Sequence, residues 1–153
     1  MRSLELKVPP VALLLVFVVA SWLIALGFPA YNFALPYRHY IALIVCALGF
    51  IFALLGVHAF RRAGTTVDPR IPQQTETLVV KGVFGVSRNP MYVGFLLALI
   101  AWCLWLENGV SVLVIPAFIV YMNQFQIKPE ERFMQAKFGA DYTQYTLAVR
   151  RWL

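Results

Sequence analysis

Two short polar motifs interrupt an otherwise apolar chain, and each has residue types suited to holding a charged ligand. The first motif, Ser87-Arg88-Asn89-Pro90-Met91-Tyr92, stands where a polar loop enters a long apolar stretch. Asn89 is a favourable N-cap and Pro90 a favourable first helical residue. A helix that begins here presents free backbone N–H groups beside Arg88, which favours an anionic group such as a carboxylate or phosphate. The alternative is a well-capped helix with an arginine and a tyrosine at a membrane interface.

The second motif, Lys128-Pro129-Glu130-Glu131, again has a proline suited to a first helical turn. Two acids at that point stabilise a helix through its dipole by roughly 0.3–1 kcal/mol each, which alone can explain them. Asn123, Gln126 and Glu130, however, recur at i, i+3 and i+7 and form a polar stripe that leads out of an apolar stretch. Polar side chains at membrane depth usually face a partner or a cavity. The stripe therefore predicts either a ligand site or a helix-bundle interface.

Beyond the glutamates, aromatic residues alternate with charged ones, and Gly139 interrupts the stretch. The pattern predicts two short amphipathic helices that lie on a membrane surface, the second beginning near Asp141. Attachment to the surface would suffice to explain it.

The composition indicates which elements must position these motifs. Apolar residues make up 61% of the 153 and charged residues 13%, whereas soluble domains have about 45–50% and about 25%. The composition therefore argues against an ordinary soluble domain. A helix needs about 20 residues to cross the hydrocarbon core, and four apolar stretches approach or reach that length: 11–27, 40–60, 91–106 and 109–127.

We therefore predict an all-α integral membrane protein with four transmembrane helices and short amphipathic helices at the C-terminus. The alternatives are a re-entrant pair for the last two stretches and a cleaved signal peptide for the first. The whole chain, residues 1–153, is predicted to form one membrane domain.

The distribution of basic residues predicts the orientation. Lys and Arg concentrate in cytoplasmic connections, and 12 of the 13 lie in the N-terminal segment, in residues 61–90 or in residues 128–153. Only Arg38 falls in a predicted outer turn. We expect a multi-pass protein of the inner (plasma) membrane, with both termini and both longer segments in the cytoplasm.

Several kinds of site are not indicated. The sequence has no G-x-G-x-x-G or Walker motif and no alternating strand and helix pattern, so a soluble nucleotide-binding fold is excluded. Cys46 and Cys103 lie in apolar stretches without a second ligand at metal-binding spacing. We expect both cysteines to be buried and reduced, and we expect neither a metal nor a nucleic-acid partner.

Taken together and in order, the motifs resemble a known family. Ser87 to Gly94, then Glu130-Glu131, then Phe138-Gly139-x2-Tyr142-x2-Tyr145-x3-Val149-Arg150 resembles the integral-membrane methyltransferases related to isoprenylcysteine carboxyl methyltransferase and the phospholipid N-methyltransferases. The resemblance begins at Phe60, in a segment similar to the small bacterial members, and runs to Leu153.

The resemblance implies an S-adenosylmethionine cofactor on the cytoplasmic face and a lipophilic or amphipathic methyl acceptor, carboxylate or amine, that enters from the lipid bilayer. Arg88, Pro90 and Tyr92 match the family's Arg-His-Pro-x-Tyr, and Glu130 and Glu131 match its Glu-Glu. Catalytic roles are thereby implied for Arg88, Glu130 and Glu131. Cofactor contacts are predicted for Phe84, Arg88, Asn89, Pro90, Tyr92, Gln126, Glu130 and Glu131.

The chain departs from the family pattern at two places. It has Gly82-Val83-Phe84-Gly85 where the family usually has Gly-Pro-Tyr-Arg, so the aromatic ring is kept and the hydroxyl and arginine are absent. Asn89 replaces the histidine, which excludes a role for an imidazole there. Two alternatives remain open: an NADPH-dependent membrane reductase similar to the sterol reductases, and a non-enzymatic membrane scaffold.

Overall fold

A computed structural model describes residues 5–64 and 77–153 of the chain. Over these ranges the regular structure is helical, apart from an isolated bridge between Asn32 and Asn108. The helices are α1 (Pro10–Gly27), α2 (Arg38–Arg62), α3 (Pro90–Leu106), α4 (Val114–Met122) and α5 (Lys128–Ala148). The all-α prediction is therefore confirmed for the described residues.

The first three helices match the first three predicted stretches to within two residues at each end. In the described part of the chain, α1 and α2 are long and apolar enough to cross a membrane. In each helix, only 17% of the most apolar 18-residue segment is buried. The core helix of a soluble protein is mostly buried, so these helices present an apolar outer surface of the kind that lipid covers. α3 is also apolar but has 17 residues.

The fourth helix begins later than predicted, because a buried turn occupies the start of its apolar stretch. Asn108 and Ser111 are fully buried. Asn108 Oδ1 accepts the Ser111 N–H at 2.9 Å, and the Ser111 hydroxyl donates to the Asn108 carbonyl at 2.7 Å. A 3₁₀ turn, Ser111–Leu113, follows, and α4 starts at Val114 instead of residue 109.

From α4 the helical path continues without a gap into α5. A π-helical turn, Asn123–Ile127, joins the two, and Ile127 has helical angles of φ −68° and ψ −50°. Pro129 therefore does not open a new helix, and its motif lacks the free helix start that the sequence suggested. α5 is itself interrupted at Gly139, with φ 52° and ψ −117°, close to the predicted break before Asp141.

Two glycines bring α2 and α3 into close contact. A Cβ on Gly94 would lie 2.6 Å from the Gly49 carbonyl oxygen and 2.9 Å from the Ala53 Cβ, and a Cβ on Gly49 would lie 2.7 Å from the Gly94 carbonyl oxygen. Small residues permit such backbone approach between apolar helices. The contact fixes the first turns of α3 beside the middle of α2.

At the opposite end of the helices, Glu107 joins the two connecting turns. Its carboxylate pairs with Arg38 and accepts the Leu35 N–H at 2.9 Å, while its carbonyl accepts the Phe33 N–H at 2.9 Å. The one cation of the predicted outer turn is thus paired with an acid.

The core lies between α1, α3 and α4, where Leu99, Phe118 and Met122 are fully buried. Cys103 is buried as predicted, but Cys46 is exposed, so the prediction that both are buried is wrong. The buried residues of α2 are only Ala42, Gly49 and Gly56, seven residues apart. Because this buried stripe is narrow, Cys46 lies outside it and is exposed, although its neighbours in α2 are apolar.

Candidate active site

The start of α3, the start of α5 and the C-terminal segment meet at one end of the bundle. The Tyr92 hydroxyl donates to Glu130 Oε1 at 2.5 Å, which joins the two predicted motifs directly. Tyr92 is buried and Glu130 is partly buried. The structure therefore brings both motifs into one site.

Glu131 lies between two arginines. The Arg151 guanidinium donates to both of its carboxylate oxygens, at 2.9 and 2.7 Å, and Arg88 Nη2 lies 3.3 Å from Oε1. Such a two-pronged arginine–carboxylate pair fixes the plane of both groups. The sequence analysis gave Arg151 no role. Its position in a run of basic residues near the chain end provided no signal for this contact.

Arg88 is held on several sides but keeps one unsatisfied donor. Its side chain is 13% exposed and also donates a hydrogen bond to Tyr142. Within the described residues, its Nε is buried and has no hydrogen-bond partner. Buried N–H groups are rarely left unpaired, and each such group calls for an explanation.

The loop before α3 differs from its predicted capping. Asn89 does occupy the N-cap position and Pro90 is the first helical residue, but the Asn89 side chain makes no cap hydrogen bond. Its Nδ2 donates instead to the Arg151 carbonyl at 2.9 Å, while Ser87 Oγ accepts the Asn89 N–H at 3.1 Å. The Asn89 side-chain amide is therefore bonded to the C-terminal segment and does not cap α3.

Phe84 lies in a 3₁₀ turn, Gly82–Gly85, and is 5% exposed. Its ring packs edge-on against Phe60 with 4.9 Å between centroids, and its carbonyl accepts the Tyr145 hydroxyl at 2.7 Å. The departure from the family pattern therefore forms an ordered wall of the site.

The polar stripe divides between two roles. Gln126 is fully buried, and its Nε2 donates to the Val8 carbonyl at 2.8 Å, while Asn123 Oδ1 accepts the Trp152 indole N–H at 3.1 Å. These two residues lie in a packing interface, and only Glu130 of the stripe lines a cavity with Arg88. Gln126 lines neither of the two cavities formed by Arg88.

Two cavities share Arg88, Glu131 and Tyr142 in their walls. The smaller, of about 90 Å³, also contains Phe84 and Glu130. The larger, of about 630 Å³, is an open cleft whose remaining walls include three basic residues: Lys128, Arg132 and Arg151. The site thus combines a narrow interior with a wider cationic mouth.

Burial dominates the acid–base properties of the interior. It raises the pKa of Glu130 from 4.5 to about 8, although the Tyr92 hydrogen bond lowers it and the neighbouring Glu131 raises it further. Burial likewise raises the pKa of Tyr142 to about 12. At neutral pH the Glu130 carboxyl therefore holds its proton. The site has a cationic Arg88 and a neutral Glu130 side by side.

This arrangement suits an anionic group at Arg88 and a hydroxyl or amine at Glu130. No group of three or more His, Cys, Asp or Glu residues able to hold a metal occurs in residues 5–64 and 77–153.

The fold and site define the class: a helical membrane protein with a polar site at one end of its apolar helices. Comparison with known proteins gives the family. A model of the phospholipid methyltransferase family matches residues 37–141, and the chain belongs to that family. This confirms the resemblance inferred from the two motifs.

The chain is also similar to individual proteins. The chain is 49% identical over 63 residues to an uncharacterized protein of Haemophilus influenzae, a match that covers 41% of this chain and 100% of the relative. It is 26% identical over 114 residues to proteins of Oryza sativa, subspecies indica and japonica, that are named probable protein-S-isoprenylcysteine O-methyltransferase. That match covers 74% of this chain and spans 60% of the rice proteins. No solved structure matches the chain.

Proposed function

We propose that this protein transfers a methyl group from S-adenosylmethionine to a lipophilic or amphipathic acceptor, a carboxylate or an amine, at the cytoplasmic face of the membrane. The observation that carries the proposal is the buried, unpartnered Nε of Arg88 in a cavity wall shared with both glutamates. Membership of the phospholipid methyltransferase family supports it.

The residues at Arg88 fit the cofactor's carboxylate. An unpaired buried donor costs about 1–3 kcal/mol, which a ligand oxygen recovers. The guanidinium adds charge, and the start of α3 adds the positive end of a helix dipole. The open cleft of about 630 Å³ provides space beside Arg88 that the interior cavity of about 90 Å³ lacks.

The two glutamates have different environments, and we assign them different tasks. Glu131 is engaged by Arg88 and Arg151, so it orients Arg88. Glu130 faces the cavity with Tyr92 and can accept from an ammonium or exchange hydrogen bonds with a ribose hydroxyl. We do not assign Pro90 a contact of its own: as the buried first residue of α3, it sets the helix start.

When bound, the cofactor supplies an electrophilic methyl group on a sulfonium. The protein's task is then to align donor and acceptor and to exclude water. A carboxylate acceptor needs no base, whereas an amine acceptor must lose a proton. With its pKa of about 8, Glu130 is deprotonated in a minor fraction of molecules near neutral pH, and that fraction can accept the amine proton.

We further propose that the chain crosses the inner membrane four times with both termini in the cytoplasm. α1 to α3 supply three crossings, and α4 with its π turn the fourth. The distribution of Lys and Arg supports this orientation. Arg38 is the one Lys or Arg residue in the predicted outer turns, and its ion pair with Glu107 offsets its charge.

Cysteine labelling tests this orientation. In a background without Cys46 and Cys103, a cysteine at Lys81 or Ala140 should react with an impermeant reagent only after the cytoplasmic side is opened. A cysteine at Tyr37 should react in intact cells. The reverse pattern contradicts the orientation.

A transfer assay tests the activity. The purified protein in lipid nanodiscs is given S-adenosylmethionine with a labelled methyl group and an extract of membrane lipids. We expect label in the organic phase, with none from Arg88→Ala. Alkali releases the label as methanol from a methyl ester but not from a methylamine, which identifies the acceptor class. Absence of transfer to any lipid fraction, in protein that binds the cofactor, contradicts a lipid acceptor.

A further inference from the structure

The C-terminal segment, residues 149–153, turns back from α5 and lies along the loop that opens α3. The Arg88 N–H donates to the Arg150 carbonyl at 3.0 Å, and the Asn89 side chain donates to the Arg151 carbonyl at 2.9 Å. Both contacts use backbone carbonyls of the segment. The segment therefore keeps its place when the side chain at position 151 is changed.

The Arg151 side chain makes a separate contact. Its fork holds both oxygens of Glu131, at 2.9 and 2.7 Å, while Arg88 approaches one of the same oxygens at 3.3 Å. The Glu131 carboxylate thus contacts two guanidinium groups, and the Arg151 group is closer to it than the Arg88 group. The three charged groups together carry one net positive charge.

We propose that Arg151 is a positioning residue, whose fork holds Glu131 and so leaves Arg88 able to bind an anion. The inference rests on the proposed function, in which Arg88 binds the cofactor carboxylate. Without the Arg151 charge, Arg88 is the one remaining ion-pair partner of Glu131 among the described residues, and Glu131 closes onto it. The net charge of the group falls to zero, and an anionic ligand must displace Glu131 before it can bind.

Two further observations support a role in the site. Arg151 lines the same open cleft as Arg88 and Glu131, so it borders the space where a ligand enters. The Nε of Arg88 remains unpaired while Arg151 holds Glu131. Arg151 lies outside residues 37–141, the part of the chain that the family model matches.

Calorimetry with S-adenosylhomocysteine on the full chain in detergent tests the proposal. We expect Arg151→Gln to weaken binding by about tenfold or more, as for loss of a charge-assisted contact. Adding Glu131→Gln should restore much of the affinity, because a neutral amide no longer captures Arg88. Arg150→Gln is the matched control, since Arg150 is exposed and carries the same charge in the same segment. It should bind as the wild type does.

Two results overturn the proposal. One is an Arg151→Gln affinity within about twofold of the wild type, well below the effect of a lost charge-assisted contact. The other is a double variant that binds as weakly as Arg151→Gln, since a loss caused by general damage to the fold is not repaired by a second substitution.

A measurement without ligand separates this inference from the proposed function. The side-chain Nε–H resonance of Arg88 is assigned by its loss in Arg88→Lys. It should move in Arg151→Gln, return in the double variant and stay in place in Arg150→Gln. A resonance unmoved by Arg151→Gln overturns the positioning role, whether or not ligand binds. If the resonance moves as expected but the wild type binds no S-adenosylhomocysteine, the positioning role stands and the proposed function fails.

Discussion

The Tyr92 hydroxyl and the Glu130 carboxyl lie 2.5 Å apart and connect α3 to α5 across the interior of the site. The two residues are 38 positions apart in the chain. Their hydrogen bond fixes how close the two sequence motifs come. It also lowers the pKa of Glu130, which burial raises, and in the described structure Glu130 faces the interior cavity without an arginine partner.

Glu130→Gln should change how stability depends on pH. The pKa of Glu130 is raised in the folded protein from 4.5 to about 8, chiefly by burial. The folded state therefore binds this proton more tightly than the unfolded state. The resulting stability is fully present below about pH 4.5 and is lost as pH rises towards about 8, by at most about 1.4 kcal/mol per pH unit.

Melting temperatures between about pH 5 and about pH 9 measure this slope. Glu130→Gln should flatten it and should be more stable than the wild type at the alkaline end. Glu5→Gln serves as the control, because Glu5 pairs with the exposed Arg132 and does not itself line either cavity. A slope in Glu130→Gln as steep as in the wild type contradicts the assignment.

Tyr92→Phe should extend the same decline in stability to higher pH. The Tyr92 hydrogen bond lowers the pKa of Glu130, so its loss raises that pKa further. The decline in stability should then continue to a higher pH than in the wild type. Cofactor affinity should fall less than in Arg88→Ala, because a neutral hydrogen bond contributes about 0.5–1.5 kcal/mol and a charged one about 1.5–3 kcal/mol. A downward shift of the profile is the opposite of what we expect.

Gly94→Ala should destabilise the contact between α2 and α3. The added Cβ meets the Gly49 carbonyl at 2.6 Å, so the helices must separate. Overpacking of this kind costs about 1–3 kcal/mol. Gly27→Ala is the control, because a Cβ there meets nothing within 4 Å. Thermal unfolding in detergent should show a clear loss for Gly94→Ala only, and equal melting temperatures would contradict the close approach.

Glu107→Gln should loosen the end of the bundle opposite the site. The substitution keeps the shape of the side chain but leaves Arg38 without its ion-pair partner. Because Arg38 is 36% exposed, we expect a loss of only about 1 kcal/mol. Arg38→Gln should lose a similar amount, and the double variant no more than either. Additive losses in melting temperature would show that the pair is not coupled.

The sequence allowed the helices and the two motifs to be predicted, because their signals are local. Apolar runs marked α1, α2 and α3, and Pro90 marked a helix start. The late start of α4 could not be predicted in this way. It depends on a buried turn at Asn108 and Ser111, and Asn108 also donates to Asn32, a contact that forms only when the two outer turns meet.

The composition of the site was likewise predicted in part. The meeting of Tyr92 with Glu130 agrees with the expectation that both motifs lie on one face. The contact of Arg151 with Glu131, and the loss of the Asn89 cap, arise because the C-terminal segment folds back over the loop. Nothing in the local sequence indicates that return. The exposure of Cys46 could not be predicted either, because exposed and buried positions of an apolar helix have the same residue types.

Calorimetry of cofactor binding is the most direct test of the proposed site. Purified protein in detergent is titrated with S-adenosylhomocysteine, with S-adenosylmethionine and with NADPH, in the wild type, in Arg88→Ala and in the exposed control Arg61→Ala. We predict one site per chain for the two methionine-derived ligands and none for NADPH. Arg88→Ala should weaken binding by about 10- to 150-fold, since a charge-assisted contact is lost, and Arg61→Ala should leave it unchanged. Saturable binding of NADPH alone, or equal affinity in Arg88→Ala and the wild type, would contradict the account.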